Sequence, residues 1–181
     1  IVHNAERTGL DGSGDADRMI RTLKYLFLFL CCVLLQTSLA SWIRIFDVAP
    51  DFILIFVVVA ALRQGPVAGM LWGFVAGFSQ DVYAPVEWLG SQTLSLTIVG
   101  FVIGQFEERF LTLNLPLKVC LLGFGFLIAD ILYYVSIGVD RGNFPVLLVT
   151  KTLPECLYTM LCGTLIFSFV FRNKPQRTHV D

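Results

Sequence analysis

The chain predicts an all-α integral membrane protein of about six short transmembrane helices, and three observations carry that prediction. Of 181 residues, 56% are hydrophobic and 15% are charged, where soluble domains average roughly a quarter charged, and mean hydropathy is +0.74. Apolar runs recur along nearly the whole length between short polar breaks. The cations between these runs fall unevenly on alternate sides, as the positive-inside rule requires of a multi-pass protein.

Residues 1–18, with Gly9, Gly12, Ser13 and Gly14 set among several charges, hold too little apolar surface to order themselves and read as a disordered cytoplasmic tail. Arg18, Arg21 and Lys24 precede the first apolar run, residues 25–43. That run is long enough to span a hydrocarbon core of roughly 30 Å and longer than the apolar core of a secretory signal, so it reads as a retained helix.

Pro50 and Asp51 open the second run, residues 52–62, with proline at a helix start and an acid near the positive end of its dipole. Arg63-Gln64-Gly65-Pro66 is a turn signal ahead of a charge-free run over 67–79. Later runs cover 91–106, 115–139 and 153–171, so a single membrane domain occupies 19–172 and a short cytoplasmic tail follows at 173–181.

The cation count decides whether 52–79 is one helix or two. With six spans, Arg7, Arg18, Arg21, Lys24, Arg63, Arg109, Lys118, Arg172, Lys174 and Arg177 lie inside against Arg44, Arg141 and Lys151 outside, ten to three. With five spans Arg63 is stranded in the membrane and the remaining cations divide evenly. Six spans with both termini inside follow.

A net charge of −1 leaves no basic surface for nucleic acid. Cys31, Cys32, Cys120, Cys156 and Cys162 lie in apolar runs without ligand spacing and read as small buried hydrophobes. His3 and His179 lie in the tails, so no serine has a base to activate it, and there is no phosphate-binding loop or dinucleotide fingerprint. The residues imply no enzyme, no cofactor and no metal.

Two features stand out. Gly65, Gly69, Gly73 and Gly77 recur every fourth residue until Asp81 closes the row, which places a side-chain-free strip on one helix face for close backbone packing within the bundle or against a partner helix. Gly100 and Gly104 repeat the spacing on the fourth span. The second feature is acidic: Asp81 is expected at the outer end of the third span, either as a surface cap or as an anchor for the loop over 82–90. Asp130 lies inside the fifth span, where a charge is costly and must be paired or neutral. No second buried acid, His or Lys suggests a relay, so a hydrogen bond to Thr152, Thr97 or Ser95 is expected.

The string Pro50-Asp51, Ala61-Leu62-Arg63-Gln64-Gly65, Gly69, Gly73-Phe74, Gly77, Asp81, Leu89-Gly90, Gly100 and Gly104, with Pro154 and Tyr158 in the last span, resembles the rod shape-determining protein MreD family. Members usually begin almost directly with the first helix, so residues 1–18 depart from the pattern and Met19 is an alternative start. The resemblance implies a non-enzymatic, multi-pass component of the bacterial cytoplasmic membrane. Such a component associates with the bitopic protein MreC, and through it with MreB, RodA and a penicillin-binding transpeptidase, in lateral peptidoglycan synthesis and rod shape. The family's arrangement is also similar to the substrate-binding membrane subunits of vitamin transporters. That likeness supplies a rival expectation, a carrier whose pocket would draw on Asp130, Tyr133, Tyr134, Glu155 and Tyr158, while a proton-coupled transporter would rest on Asp130 alone.

Overall fold

In the computed structural model, which describes residues 5–42, 49–106, 115–139, 142 and 144–171, the chain is a bundle of six long helices. They are α1 (Ala5–Trp42), α2 (Phe52–Gln64), α3 (Pro66–Asp81), α4 (Ser91–Gly104), α5 (Leu115–Ser136) and α6 (Leu153–Phe171). Among the described residues no strand occurs. The segments Met19–Ser38, Val86–Gly104 and Leu115–Ser136 are long and apolar enough to cross a membrane by length and composition.

α2 is the hub. Every residue from Ile53 to Leu62 is buried, and α1, α3, α4, α5 and α6 all touch it. A helix apolar all round belongs inside a bundle, and Val57, Val58, Ala60 and Ala61 have no exposed surface. At 13 residues and about 1.5 Å per residue, α2 is short, with Arg63 exposed just beyond its buried stretch. The sequence split between α2 and α3 is real: Gly65 adopts φ 89°, a left-handed value that glycine takes without steric cost, and Pro66 starts α3 where a missing N–H costs nothing.

The glycine row decides the main helix pair. A Cβ added at Gly69 would meet the Gly100 carbonyl and lie 2.6 Å from the Ala61 Cβ, one at Gly73 would meet the Leu96 carbonyl, and one at Gly77 would lie 2.6 Å from the Gln92 carbonyl. From the other side, Gly100 faces the Gly69 backbone and Gly104 faces Pro66 and Gly65. α3 and α4 thus run antiparallel with one glycine per turn in register, and theirs is the most extensive contact in the fold. The strip is consumed inside the molecule. Of the two readings open to it, packing within the bundle is the one the structure displays.

α1 lies on the outside of the bundle. Tyr25 and Phe29 pack on Trp72 of α3 and Phe56 of α2, with Phe56 and Trp72 edge to face at 5.3 Å. Leu23, Leu26, Phe27, Leu30 and Leu34 remain exposed, as suits a helix bathed in lipid. α1 also extends back to Ala5, through most of the stretch expected to be a disordered tail. Propagation explains the difference, since adding a residue to an existing helix avoids the unfavourable nucleation step that an isolated Gly-rich segment would face.

Two further expectations need correcting. Lys118, counted among the inside-loop cations, is buried near the start of α5. Of the cysteines Cys156 is buried, Cys31, Cys32 and Cys162 are half-buried, and Cys120 is exposed on α5. Residues 173–181, His3 and His179 lie outside the described residues.

The clash geometry predicts that Gly73→Leu destabilises the bundle itself. Overpacking typically costs about 1–3 kcal/mol, and more where the obstruction is backbone. In detergent the variant should unfold at clearly lower temperature, whereas Gly142→Ala, whose added Cβ meets nothing within 4 Å, should unfold like the parent protein.

Candidate functional site

The polar groups of the bundle gather where α2, α4 and α6 begin and α3 and α5 end. Asp81 is 2% exposed. The N–H groups of Gln92 and Thr93 donate to its Oδ1 and Oδ2 at 3.2 and 2.8 Å, and the Thr93 hydroxyl donates to Oδ2. These are first-turn donors of α4, whose own N-cap, Gly90, sits at φ 94° without a side-chain cap. The cap is therefore supplied from α3, and the spacing shows why. Asp81 stands one turn beyond Gly77, so the strip that lays α3 on α4 delivers a carboxylate to the α4 N-terminus, where orphan donors and the helix dipole both favour an anion.

Asp81 is a cap, buried where a solvated surface group was one expectation, and by capping α4 it ties the far end of the loop over 82–90 to α3. The loop between the helices carries a single turn of 3₁₀ helix, Val86–Trp88, and exposes Tyr83 and Val86. It is pinned at its base by the Asp81 cap. Next to it, Phe74, Phe78, Leu89 and Leu94 line an open groove of about 420 Å³ between α3 and α4, with Asp81, Gly90, Thr93 and Thr97 completing the wall.

Asp51 caps α2: the Leu54 N–H donates to its Oδ1 at 2.9 Å. Two groups that sequence reading missed complete this helix start. The Phe52 N–H donates to Gln36 Oε1 of α1 at 2.9 Å, and the Asp51 N–H donates to Thr159 Oγ1 of α6 at 3.1 Å. The available signal was that Gln36 and Thr159 are polar residues inside apolar runs, and such residues in membrane helices face the bundle.

Asp130 has the expected Thr152 beside it and, contrary to expectation, a second acid nearby. Thr152 lies within hydrogen-bonding reach of it, and Thr152 Oγ1 in turn lies 3.4 Å from the Tyr134 hydroxyl. Asp51 is near enough that the two carboxylate charges repel. Ser95 and Thr97, the other expected partners, instead donate to the carbonyls of Ser91 and Thr93 on their own helix. Thr152 belongs to a π turn, Leu148–Thr152, just before Pro154. Proline lacks an N–H and crowds the carbonyl four residues back, which favours the wider turn. The second carboxylate oxygen of Asp130, Oδ2, is buried and has no hydrogen-bond partner among the described residues.

Chemically this is an arrangement of caps and anchors. The hydroxyls of Ser79, Ser95 and Thr164 are spent on their own helix's carbonyls, and among the described residues no group of three or more His, Cys, Asp or Glu is placed to hold a metal. The α3–α4 groove is lined by other residues than those a carrier pocket was expected to use.

The family model of rod shape-determining protein MreD matches residues 16–173, nearly the whole chain. The chain belongs to the MreD family. Membership makes it a protein of rod shape determination. The matched range takes in α1 from residue 16 and the other five helices whole, so the glycine strip, the Asp81 cap and the Asp51–Asp130 cluster all lie within the MreD region. No curated protein and no solved structure matches the chain, so the likeness to vitamin-transporter subunits has no structural support.

Two stability predictions follow from the caps. Asp81→Ala should cost about 1–2 kcal/mol through lost capping, and Asp81→Asn less, because the amide oxygen still accepts; thermal unfolding of the two variants in detergent separates them. Thr159→Val, which leaves the Asp51 N–H without an acceptor inside the bundle, should cost about 1–3 kcal/mol, read by the same measurement.

Proposed function

We propose that this protein is a non-enzymatic, six-span component of the bacterial cell-elongation complex that holds the bitopic protein MreC in the cytoplasmic membrane and, through it, helps organise lateral peptidoglycan synthesis. The observation that carries the proposal is the family match over 16–173. The helix order supports the topology. α1 and α2 run antiparallel, with Gln36 beside Phe52 at one end and Thr22 beside Gln64 at the other. With Arg18, Arg21 and Lys24 inside, Asp51, Asp81 and Asp130 then face the outer leaflet and both termini are cytoplasmic.

Because the glycine strip is occupied, a partner helix must use another face. The α3–α4 groove is that face in our reading. It is apolar along its length, through Phe74, Phe78, Leu89 and Leu94, and the Asp81 cap on α4 holds its outer end in place. The membrane helix of a single-span protein presents an apolar surface that fits such a groove within the bilayer. Asp51, Asp81 and Asp130 act in this reading as fixed anchors that hold the outer helix ends still. Asp130→Asn should therefore preserve both protein level and cell shape, while loss of rod shape at normal protein level would show that its charge is required.

A photo-crosslinking amino acid at Phe78 or Leu94 should capture MreC in the native membrane. The same probe at Leu165, exposed on α6, should not. Capture from Leu165 with none from the groove would overturn the docking face, and recovery of a nucleotide-hydrolysing module or a bound vitamin instead of MreC and cell-wall synthases would overturn the proposed role.

A further inference from the structure

A second groove, of about 280 Å³, lies between α1 and α3 at the end of the bundle opposite to the acids, lined by Thr22, Gln64, Ala68, Leu71, Trp72 and Val75. We propose that it is a binding site for an anionic phospholipid, with the headgroup at Gln64 and an acyl chain along Leu71, Trp72 and Val75.

Three independent observations converge here. First, the groove changes character along its length. Thr22 and Gln64 form its polar end, and from Ala68 to Val75 on α3 it is wholly apolar, which suits a molecule with one polar end and a hydrocarbon tail. Second, Gln64 Nε2 is buried without a hydrogen-bond partner among the described residues. A buried amide donor left unmade costs about 1–3 kcal/mol. Because the two ends of a carboxamide exchange by a half-turn, Gln64 can direct its N–H groups into the groove, where phosphate oxygens are the matching acceptors.

Third, exposed cations stand beside the polar end of the groove. Arg21 and Lys24 flank Thr22 in the chain and both are exposed, and Arg63, also exposed, precedes Gln64. Arg21 lies one turn before Tyr25, which packs on Trp72 at the groove. Basic residues at a membrane surface attract anionic lipid, each by about fivefold in affinity, and their long stems reach the headgroup level from within the apolar span. A zwitterionic lipid fits the apolar part equally well and gains nothing from the cations, so the choice of an anionic headgroup rests on charge. The inference depends on the membrane embedding of the bundle and not on its partners.

Trp72 in the wall of the groove makes the test direct. The chain has three tryptophans, Trp42, Trp72 and Trp88, so a Trp42→Phe, Trp88→Phe protein reports from Trp72 alone. Reconstituted into vesicles with a fixed fraction of acyl-brominated lipid, its fluorescence should be quenched more by brominated phosphatidylglycerol than by brominated phosphatidylcholine. A protein retaining only Trp88 should show no such difference. Arg21→Gln with Lys24→Gln should bring the preference toward unity, and Gln64→Leu should reduce it while leaving the surface charge intact. Equal quenching by the two lipids in the parent protein would overturn the proposal, and so would a preference unchanged by Gln64→Leu, which would leave only diffuse attraction to the cations. Loss of MreC capture with the lipid preference intact would bear on the proposed function alone.

Discussion

The structure depends on one constraint: α2 is buried on every side from Ile53 to Leu62, and its N-terminus is met by groups from other helices. A helix has four unpaired N–H groups at its start and four unpaired carbonyls at its end. At the start of α2 other parts of the protein meet them. Asp51, Gln36 of α1 and Thr159 of α6 meet the start, so that three segments far apart in the chain converge on one turn of helix. At the other end the Gly65 N–H returns to Ala61, and the chain reverses at once into α3. Burial of α2 thereby positions α1, α3 and α6 together.

The second determinant is the meeting of α3 and α4 along glycine. Hydrophobic burial gives little net drive to helix association where the surroundings are already apolar, so close backbone contact supplies the attraction instead. Each glycine from Gly69 to Gly77 faces backbone on α4, and the same spacing brings Asp81 to the free N–H groups of that helix. The pair is thus tied along its whole length and locked at the outer end. This stiffness is what makes the neighbouring groove of Phe74, Phe78, Leu89 and Leu94 suitable for a partner, because a preformed surface need not be ordered on binding.

The two ends of the bundle differ in chemistry. Carboxylates and hydroxyls collect around Asp51, Asp81 and Asp130 at one end, all held by helix-end or side-chain partners. Arg21, Lys24 and Arg63 stand exposed at the other. This polarity matches the uneven distribution of cations in the chain. It also places the α3–α4 groove near one end of the bundle and the α1–α3 groove near the other.

The amino-acid sequence by itself determined the fold class, the six apolar segments, the break at Gly65 and the family, because composition, run length, turn chemistry and residue order are local properties that need no third dimension. It also marked the glycine row and Asp81 as a unit, since a four-residue spacing puts them on one helix face. What it left open was the face opposite that strip, because spacing states that a helix can approach closely and not which one does; only the packing of α4 showed that the strip is filled from within. The same limit hid Gln36 and Thr159, and the nearness of Asp51 to Asp130. Each of these depends on helices meeting across dozens of residues of chain, and such a meeting is decided by which surfaces fit once α2 has been enclosed.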